Sequence, residues 1–527
     1  MKILVIPCAK PIRDDLKERF GDIPATFIPI SGIPLLECVL KNFKDFYDEI
    51  RLVINPRHMN SLELHRNLIE PYLATEKLKL YTSDGGRDIS STILAVNLCY
   101  NPPNHVERLD ILFGDTLFDK PFEDPDTVSF STVRDTERWT CFKREEGRIT
   151  EYDDKLIMDG IQHNIFTGFF SFSDVPLICR LMLHNTFYTA VETYSRTHPL
   201  DFVEPGNWVD VGHLDKYLEH QAVITPRYFN SIKIDSKKGI LTKSSEDSVK
   251  LMAELHWYEN LPKDLRYLTP QIYDSPDSST IKMQYYPYTT VHELILSARL
   301  TARTMDTLLY HLDQMQSSVV PVSPEDVLKA RRQIYLDKTI SRLTEYEYVP
   351  SVKVNGISYV DSDSLLKGLP ALIENSGIIN ETPFTVMHGD YCGSNILVDT
   401  DSQQIKLIDP RGSFGGDYSV SGDPLYDTAK LFHSIEGLYD FIITDQFSID
   451  ETEEGEITFN INITDEQRSC LRRVKDILEA KYSGVLYKVK LIEALLFLSM
   501  IPLHKDKPLR QKAMYFTGIE LLNQLRE

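Results

Sequence analysis

The densest chemistry in this chain lies at Val386-Met387-His388-Gly389-Asp390-Tyr391-Cys392-Gly393-Ser394-Asn395, with Ile408-Asp409-Pro410-Arg411-Gly412 following shortly after. Moving a phosphoryl group from ATP to an alcohol needs a carboxylate that orients the hydroxyl and takes its proton. It also needs oxygen ligands that hold Mg²⁺ against the phosphates. Asp390 suits the first task, and Asn395 with Asp409 suits the second. The spacing puts Asp390 and Asn395 at opposite ends of one loop, and the apolar strand Ile405–Ile408 delivers Asp409 beside them. An H-G-D tripeptide alone would be read as an Asx-turn. Together with the other two elements, in this order, it reads as a phosphotransfer site.

The arrangement H-G-D-x-x-x-x-N followed by I-D-P resembles the aminoglycoside phosphotransferase and choline kinase family, which shares the protein-kinase fold. The segment Gly422-Asp423-Pro424-Leu425-Tyr426-Asp427-Thr428-Ala429-Lys430 is similar to the family's G-D-P-x-Y-D-x-A stretch, which the resemblance makes a structural anchor between a helix and the catalytic loop. The family also uses a strand Lys on the α- and β-phosphates, held by a helix Glu. Lys243 and Glu254 fill those places, with Lys238 as a rival lysine in the preceding turn. By the same resemblance, Asp235–Gly239 would cover the nucleotide, and Gln284 and Tyr285 would carry adenine through their backbone. The family likeness covers roughly residues 225–520.

The front of the chain resembles the sugar-phosphate nucleotidyltransferase family, which joins an NTP to a phosphorylated sugar or alcohol and releases pyrophosphate. The matching pieces are Ile30-Ser31-Gly32-Ile33-Pro34-Leu35-Leu36-Glu37, Leu112-Phe113-Gly114-Asp115-Thr116, Thr167-Gly168-Phe169-Phe170-Ser171-Phe172 and Asn207-Trp208-Val209-Asp210-Val211-Gly212. The resemblance implies that Asp115 and Asp210 bind Mg²⁺ jointly, and two strand-end carboxylates can clamp a metal between phosphates. The first loop departs from the family's L-A-A-G-x-G-x-R. Arg13 keeps its place as a catalytic candidate, but Ala9 and Pro11 replace both glycines, and Ala25 replaces a lysine. Glycines there let backbone N–H groups approach a triphosphate, and Pro11 removes one donor. Lys10 could supply charge from a shifted place. Two readings stay open: an active transferase with a remodelled loop, and a domain that keeps the fold without the full chemistry.

The elements needed to hold these residues follow from hydropathy. In residues 1–222 the short apolar runs Ile3–Ile6, Ile50–Ile54, Lys79–Tyr81, Leu109–Phe113 and Ser129–Val133 alternate with amphipathic stretches such as Leu35–Phe43 and Ser61–Tyr72. That alternation predicts an α/β nucleotidyltransferase-like domain with a mostly parallel sheet. Residues 223–295 read as a kinase N-lobe: a hairpin of Phe229–Ile234 and Ile240–Lys243, a helix over Ser245–Tyr258 and a strand at Thr280–Tyr286. Residues 296–527 are largely helical and read as the C-lobe, making an α+β two-lobed second domain. The acidic stretch Asp445–Glu456, beside the alternating Ile457–Ile463, reads as an exposed hairpin. Leu491–Pro502 contains Glu493 and reads as a buried helix.

A chain of 527 residues with 42% hydrophobic and 26% charged residues fits two to three soluble domains. The net charge of -21 argues against general nucleic-acid binding. The seven scattered cysteines form no C-x-x-C pair and read as reduced thiols. No stretch reaches the length of a membrane span, and a cytoplasmic location is expected. These readings combine into a bifunctional enzyme: ATP phosphorylates a small hydroxyl compound, and the front domain uses CTP or another NTP to make an NDP-linked donor for glycan- or capsule-type synthesis. The alternative is a lone small-molecule kinase whose front domain binds a ligand. Arg411, two residues past Asp409, disfavours a quaternary ammonium and suits hydroxyls or an anion, so a sugar or polyol is favoured over a choline-like acceptor. Oligomeric state stays open.

Overall fold

The computed structural model describes the whole chain except residues 31–32, 97–105, 135, 137–138, 154–160, 222–229, 236–237, 348, 381–382, 453–454 and 526–527. It divides into two units, Met1–Pro226 and Arg227–Glu527. The boundary expected at 222 falls among residues outside those described.

In the first unit the strand Lys2–Cys8 runs parallel to both Glu49–Ile54 and Arg108–Leu112, and Leu78–Thr82 extends the parallel set. Beyond Arg108–Leu112 the sheet turns antiparallel through His163–Phe172, which also pairs with Thr127–Val133 and Cys141–Glu145. Successive residues of a strand face opposite ways. Leu4 and Ile6 therefore enter one apolar layer with the helix Leu35–Phe43, while Ile3 and Val5 enter another with Val175–His184 and Phe187–Ser195. A sheet buried on both faces explains the near-continuous apolar run at the start of the sequence. The stretch expected as one helix over Ser61–Tyr72 is two, Met59–Leu64 and Arg66–Ala74, broken at His65.

The second unit opens with a four-stranded antiparallel sheet in the order Asn230–Asp235, Ile240–Ser245, Thr280–Gln284, Ile272–Asp277. The helix Ser248–Asn260 starts where the Asp247 side chain accepts the Lys250 amide, an N-cap that sets its first turn. A helical lobe follows, built on Ala302–Gln316, Pro424–Ile435, Asp465–Lys481, Leu486–Met500 and Pro508–Gln524. Residues 491–500 of Leu486–Met500 are buried all round, as expected of Leu491–Pro502, and the helix begins five residues earlier and passes into a tighter turn at Ile501–His504. The acidic hairpin is more than a solvated surface. Its strands Phe447–Glu451 and Glu456–Ile461 join Val352–Val354, and Phe447 and Phe459 sink into the core. Apolar alternation on one face outweighs the charge on the other.

Among the described residues no helix is long and apolar enough to cross a membrane. Six cysteines are free, and Cys99 lies outside the described residues.

Candidate active site

The loop carrying Asp390 is shaped by its neighbours. Thr385–Val386 pairs with Ser421–Gly422, and the chain then turns at Gly389 with φ +80°. A Cβ at Gly389 would stand 2.6 Å from Cβ of Arg411, so both the angle and the space require glycine. The amides of His388 and Gly389 donate to the two carboxylate oxygens of Asp427 at 2.6 and 2.8 Å. Asp427 is buried in the helix Pro424–Ile435, so the loop is pinned to that helix. Asp423 caps the same helix and meets Arg331 at 3.2 Å and the Tyr335 hydroxyl at 2.9 Å. His388 is fully buried, edge-on to Trp257, whose Nε1 donates to the Met387 carbonyl at 2.6 Å. Burial pushes His388 down to about 4, so its imidazole is neutral at pH 7, and its Nδ1 accepts the Asp390 amide at 3.3 Å.

Asp390 is held from two sides. Asn395 Nδ2 donates to its Oδ2 at 2.9 Å, and the Lys430 ammonium meets its Oδ1 at 2.9 Å. Lys430 is the last residue of the Gly422–Lys430 motif, and its pairing with Asp390 was not anticipated. A helical register four residues past Tyr426 and three past Asp427 was the available signal. Burial works against the Lys430 charge, but Asp390 outweighs it and raises the lysine's pKa.

Lys243 and Glu254 come together as expected, with Nζ 2.6 Å from Oε2, and Nζ is equally 2.6 Å from Oδ1 of Asp409. Burial opposes the Lys243 charge, but Asp409 and Glu254 outweigh it and raise its pKa. The rival Lys238 instead pairs with Asp235 at the exposed turn. Asp409 adopts φ +55°, a left-handed conformation that costs a non-glycine residue on the order of 1 kcal/mol and marks functional sites. With its nitrogen spent on Asp390, Asn395 keeps Oδ1, which accepts the Ser394 hydroxyl at 3.2 Å and has a second lone pair to give, and the half-exposed Asp409 has its second oxygen. These hard oxygens suit Mg²⁺, which completes its shell with phosphate and water.

The amides of Gln284 and Tyr285 donate to the carbonyls of Gln271 and Gly239 at 2.8 Å each. Pairing of the β-sheet thus consumes these two N–H groups, so a backbone contact to adenine from Gln284 or Tyr285 would have to come from a carbonyl. Of the covering loop Asp235–Gly239, residues 236 and 237 lie outside the described set.

In the first unit Asp115 follows the strand Arg108–Leu112, and Asp210 ends the strand Trp208–Asp210. That strand pairs antiparallel with Thr116–Phe118, placing Asp210 opposite Thr116. A Cβ on Gly212 would lie 2.5 Å from Asp115 Oδ2 and 3.2 Å from Asp210 Oδ1, so both carboxylates converge on one glycine. Burial first, then the Asp210 charge, pushes Asp115 up to about 6. Two convergent carboxylates with one reluctant to ionise suit a divalent cation. Asp210 also accepts from Gly212 N, Trp139 Nε1 and the ring of His213, partners the motif did not reveal. Arg13 is exposed at the start of the helix Asp14–Phe20, 3.7 Å from Asp15. The remodelled first loop is tied down where Asn55 Nδ2 donates to the Ala9 carbonyl. Ser31 and Gly32 of the expected motif lie outside the described residues.

Residues 239–449 match the model of the phosphotransferase enzyme family. The match lies within the second unit. No curated protein matches the chain significantly. Among solved structures, a choline/ethanolamine kinase family protein from Mesorhizobium loti is 13% identical, with 60% of this chain and 95% of that one covered and a TM-score of 0.34. An ADP-bound aminoglycoside phosphotransferase is 14% identical, covering 58% and 96%, with a TM-score of 0.33. For the front of the chain, a nucleoside-diphosphate-sugar pyrophosphorylase from Vibrio cholerae is 13% identical, covering 41% and 99%, with a TM-score of 0.32. The matched range includes Lys243, Glu254, Asp390, Asn395 and Asp409.

Proposed function

We propose that the phosphotransferase domain transfers the γ-phosphoryl group of ATP to the hydroxyl of a small molecule, and that the front unit couples the phosphorylated product to an NTP. The observation that supports the first step is the single cluster formed by Lys243, Glu254 and Asp409 on one side and Asp390, Asn395 and Lys430 on the other. Asp390 orients the acceptor hydroxyl and receives its proton while the oxygen attacks the γ-phosphorus. The bond to the β-phosphate oxygen breaks and ADP leaves. Lys243, fixed between two carboxylates, holds the α- and β-phosphates. Mg²⁺ on Asn395 and Asp409 would neutralise phosphate charge.

The second step is supported by the convergence of Asp115 and Asp210 on Gly212. A sugar or polyol acceptor, and a role in glycan or capsule synthesis, extend this reading. The competing reading, a front unit that only binds, is favoured by the loop at Ala9, Lys10 and Pro11, which lacks the glycines a triphosphate cradle uses. Separate measurement of ADP and pyrophosphate, with ATP, CTP and a panel of acceptors, tests both steps. Pyrophosphate release that requires the phosphorylated acceptor supports the bifunctional reading, and ADP without pyrophosphate for any NTP leaves only the kinase.

A further inference from the structure

Four cations gather around Tyr426, whose ring lies 6.3 Å from that of Tyr335, one turn before Lys338, and one of the four reaches Asp390. Lys430 touches it, and Arg411, whose backbone N donates to the His388 carbonyl, sends a guanidinium nitrogen to the Tyr426 hydroxyl at 3.0 Å. Lys338 begins the helix Lys338–Thr344, and Arg342 lies one turn further along the same face, donating to the Ser499 carbonyl at 2.7 Å. Lys338, Arg411 and Lys430 all act on the phenol of Tyr426, which is one turn before Lys430 on its own helix.

This side of the site lacks the carboxylates that would balance it. Lys338 is half-buried and pairs with no carboxylate among the described residues, and neither does Arg411. The carboxylate nearest in charge to Arg342, Glu345, meets Lys505 at 3.5 Å. Tyr426 is therefore set among four positive groups. Such an excess of charge in a partly desolvated place is unfavourable without an anion, and its trace is visible in two groups. Burial, with the charges of Arg411, Arg342 and Lys430, lowers Lys338 to about 8, against the pull of Tyr426. Burial alone would raise Tyr426, yet Lys338, Arg411 and Lys430 bring it down to about 8.

We propose that the acceptor of the phosphotransferase domain is an anionic alcohol, a hydroxyl compound bearing a carboxylate or a phosphate monoester that is seated by Lys338, Arg342 and Arg411 beside Asp390. This rests on the kinase reading above and narrows its substrate class. A choline-like cation would meet four like charges here, and a neutral polyol would leave them unbalanced. The transfer keeps its balance: the alcohol oxygen bonds to the γ-phosphorus, its proton goes to Asp390, ADP departs, and the acceptor's own anionic group is unchanged.

The test is calorimetric titration of four alcohols into the full chain saturated with Mg²⁺ and the imido analogue of ATP: glycerate, glycerol 3-phosphate, glycerol and choline. At least one of the first two should bind tenfold or more tighter than glycerol, and which one does so separates carboxylate from phosphate. Lys338→Gln and Arg342→Gln should each reduce that preference over glycerol by about fivefold or more, a ratio that a general loss of folded protein would not alter. Glycerol or choline binding as tightly as the anions would overturn the inference and leave the kinase reading standing, as would an anion preference untouched by both substitutions. The same holds for binding of neither anion, because the cluster would then serve only the transferring phosphoryl group. Failure of the ATP analogue itself to bind would overturn the kinase reading, and this inference with it.

Discussion

Lys243 is the single positive group between two carboxylates, so its removal has consequences that can be worked out. In Lys243→Met the side chain keeps its length and loses its charge, leaving Glu254, 5% exposed, facing Asp409 without compensation. Breaking a buried pair by removing one partner commonly costs about 3–5 kcal/mol. Here protonation of Glu254 sets a ceiling. Starting from its ordinary value of 4.5, taking up a proton at pH 7 costs about 3.4 kcal/mol, at about 1.36 kcal/mol per unit. At pH 5.5 the ceiling falls to about 1.4 kcal/mol by the same conversion. Burial raises the Glu254 carboxyl and the Lys243 charge lowers it, so the loss of Lys243 leaves burial and Asp409 to push it further up. The sign follows: the group's contribution is most favourable below 4.5 and is lost as pH rises through its folded value. Lys243→Met should therefore be destabilised by about 2–3 kcal/mol at pH 7 and by less than about 1.5 kcal/mol at pH 5.5. Adding Glu254→Gln removes the orphaned charge and should bring stability to within about 1 kcal/mol of the parent. Neither variant should transfer phosphate at more than roughly 1% of the parental rate, because the phosphate contact is gone in both. Urea-dependent hydrogen exchange, read on peptides covering 240–260 and 405–412, reports this unit separately from the other. A single variant as stable as the parent at pH 7, or a double variant that regains activity, would refute the reasoning.

Four further outcomes follow. Asn395→Ala and Asp409→Ala should each weaken ATP binding tenfold or more in the presence of Mg²⁺, with little change in its absence, as calorimetry with and without the metal would show. Asp115→Ala and Asp210→Ala should each abolish pyrophosphate release while ADP formation survives, and the double variant should be little worse than either, since groups serving one metal act as a unit. Because burial and Asp210 raise Asp115 to about 6, pyrophosphate release should fall as pH drops through that value, where the carboxylate takes a proton and loses its hold on a cation. Binding of the anionic acceptor should weaken as pH rises through about 8. There either Lys338 or Tyr426 gives up a proton, and both changes remove positive charge from the pocket.

Strongly patterned segments were legible in the sequence. The strands from Lys2–Cys8 to Arg108–Leu112 and the helix Leu35–Phe43 follow directly from apolar runs and period, and His388 to Asn395 follows from a local motif whose spacing is fixed by the chemistry. What stayed hidden depends on tertiary proximity. Lys430 closes the Gly422–Lys430 motif, but nothing local says that its ammonium reaches Asp390. Lys338 and Arg342 precede Asp390 by some fifty residues and sit in an unremarkable helical stretch, so only the fold brings their charge to Tyr426. Trp139 reaches Asp210 for the same reason. The partners of the Gln284 and Tyr285 amides were hidden because a strand pattern does not reveal which N–H groups neighbouring strands consume. The hairpin at 447–461 reads as surface because its charges are contiguous, whereas Phe447 and Phe459, one on each strand, are buried.

The central claim is that Asp390 serves an ATP-dependent transfer to an alcohol. Its most direct test is ADP formation by the full chain with Mg²⁺ and ATP, with and without an acceptor panel, comparing the parent with Asp390→Asn. The parent should form ADP in an acceptor-dependent manner with a stoichiometric phosphorylated product, and Asp390→Asn should lose about 10²-fold or more of that rate while remaining folded. Acceptor-dependent transfer at the parental rate in Asp390→Asn would contradict the assignment.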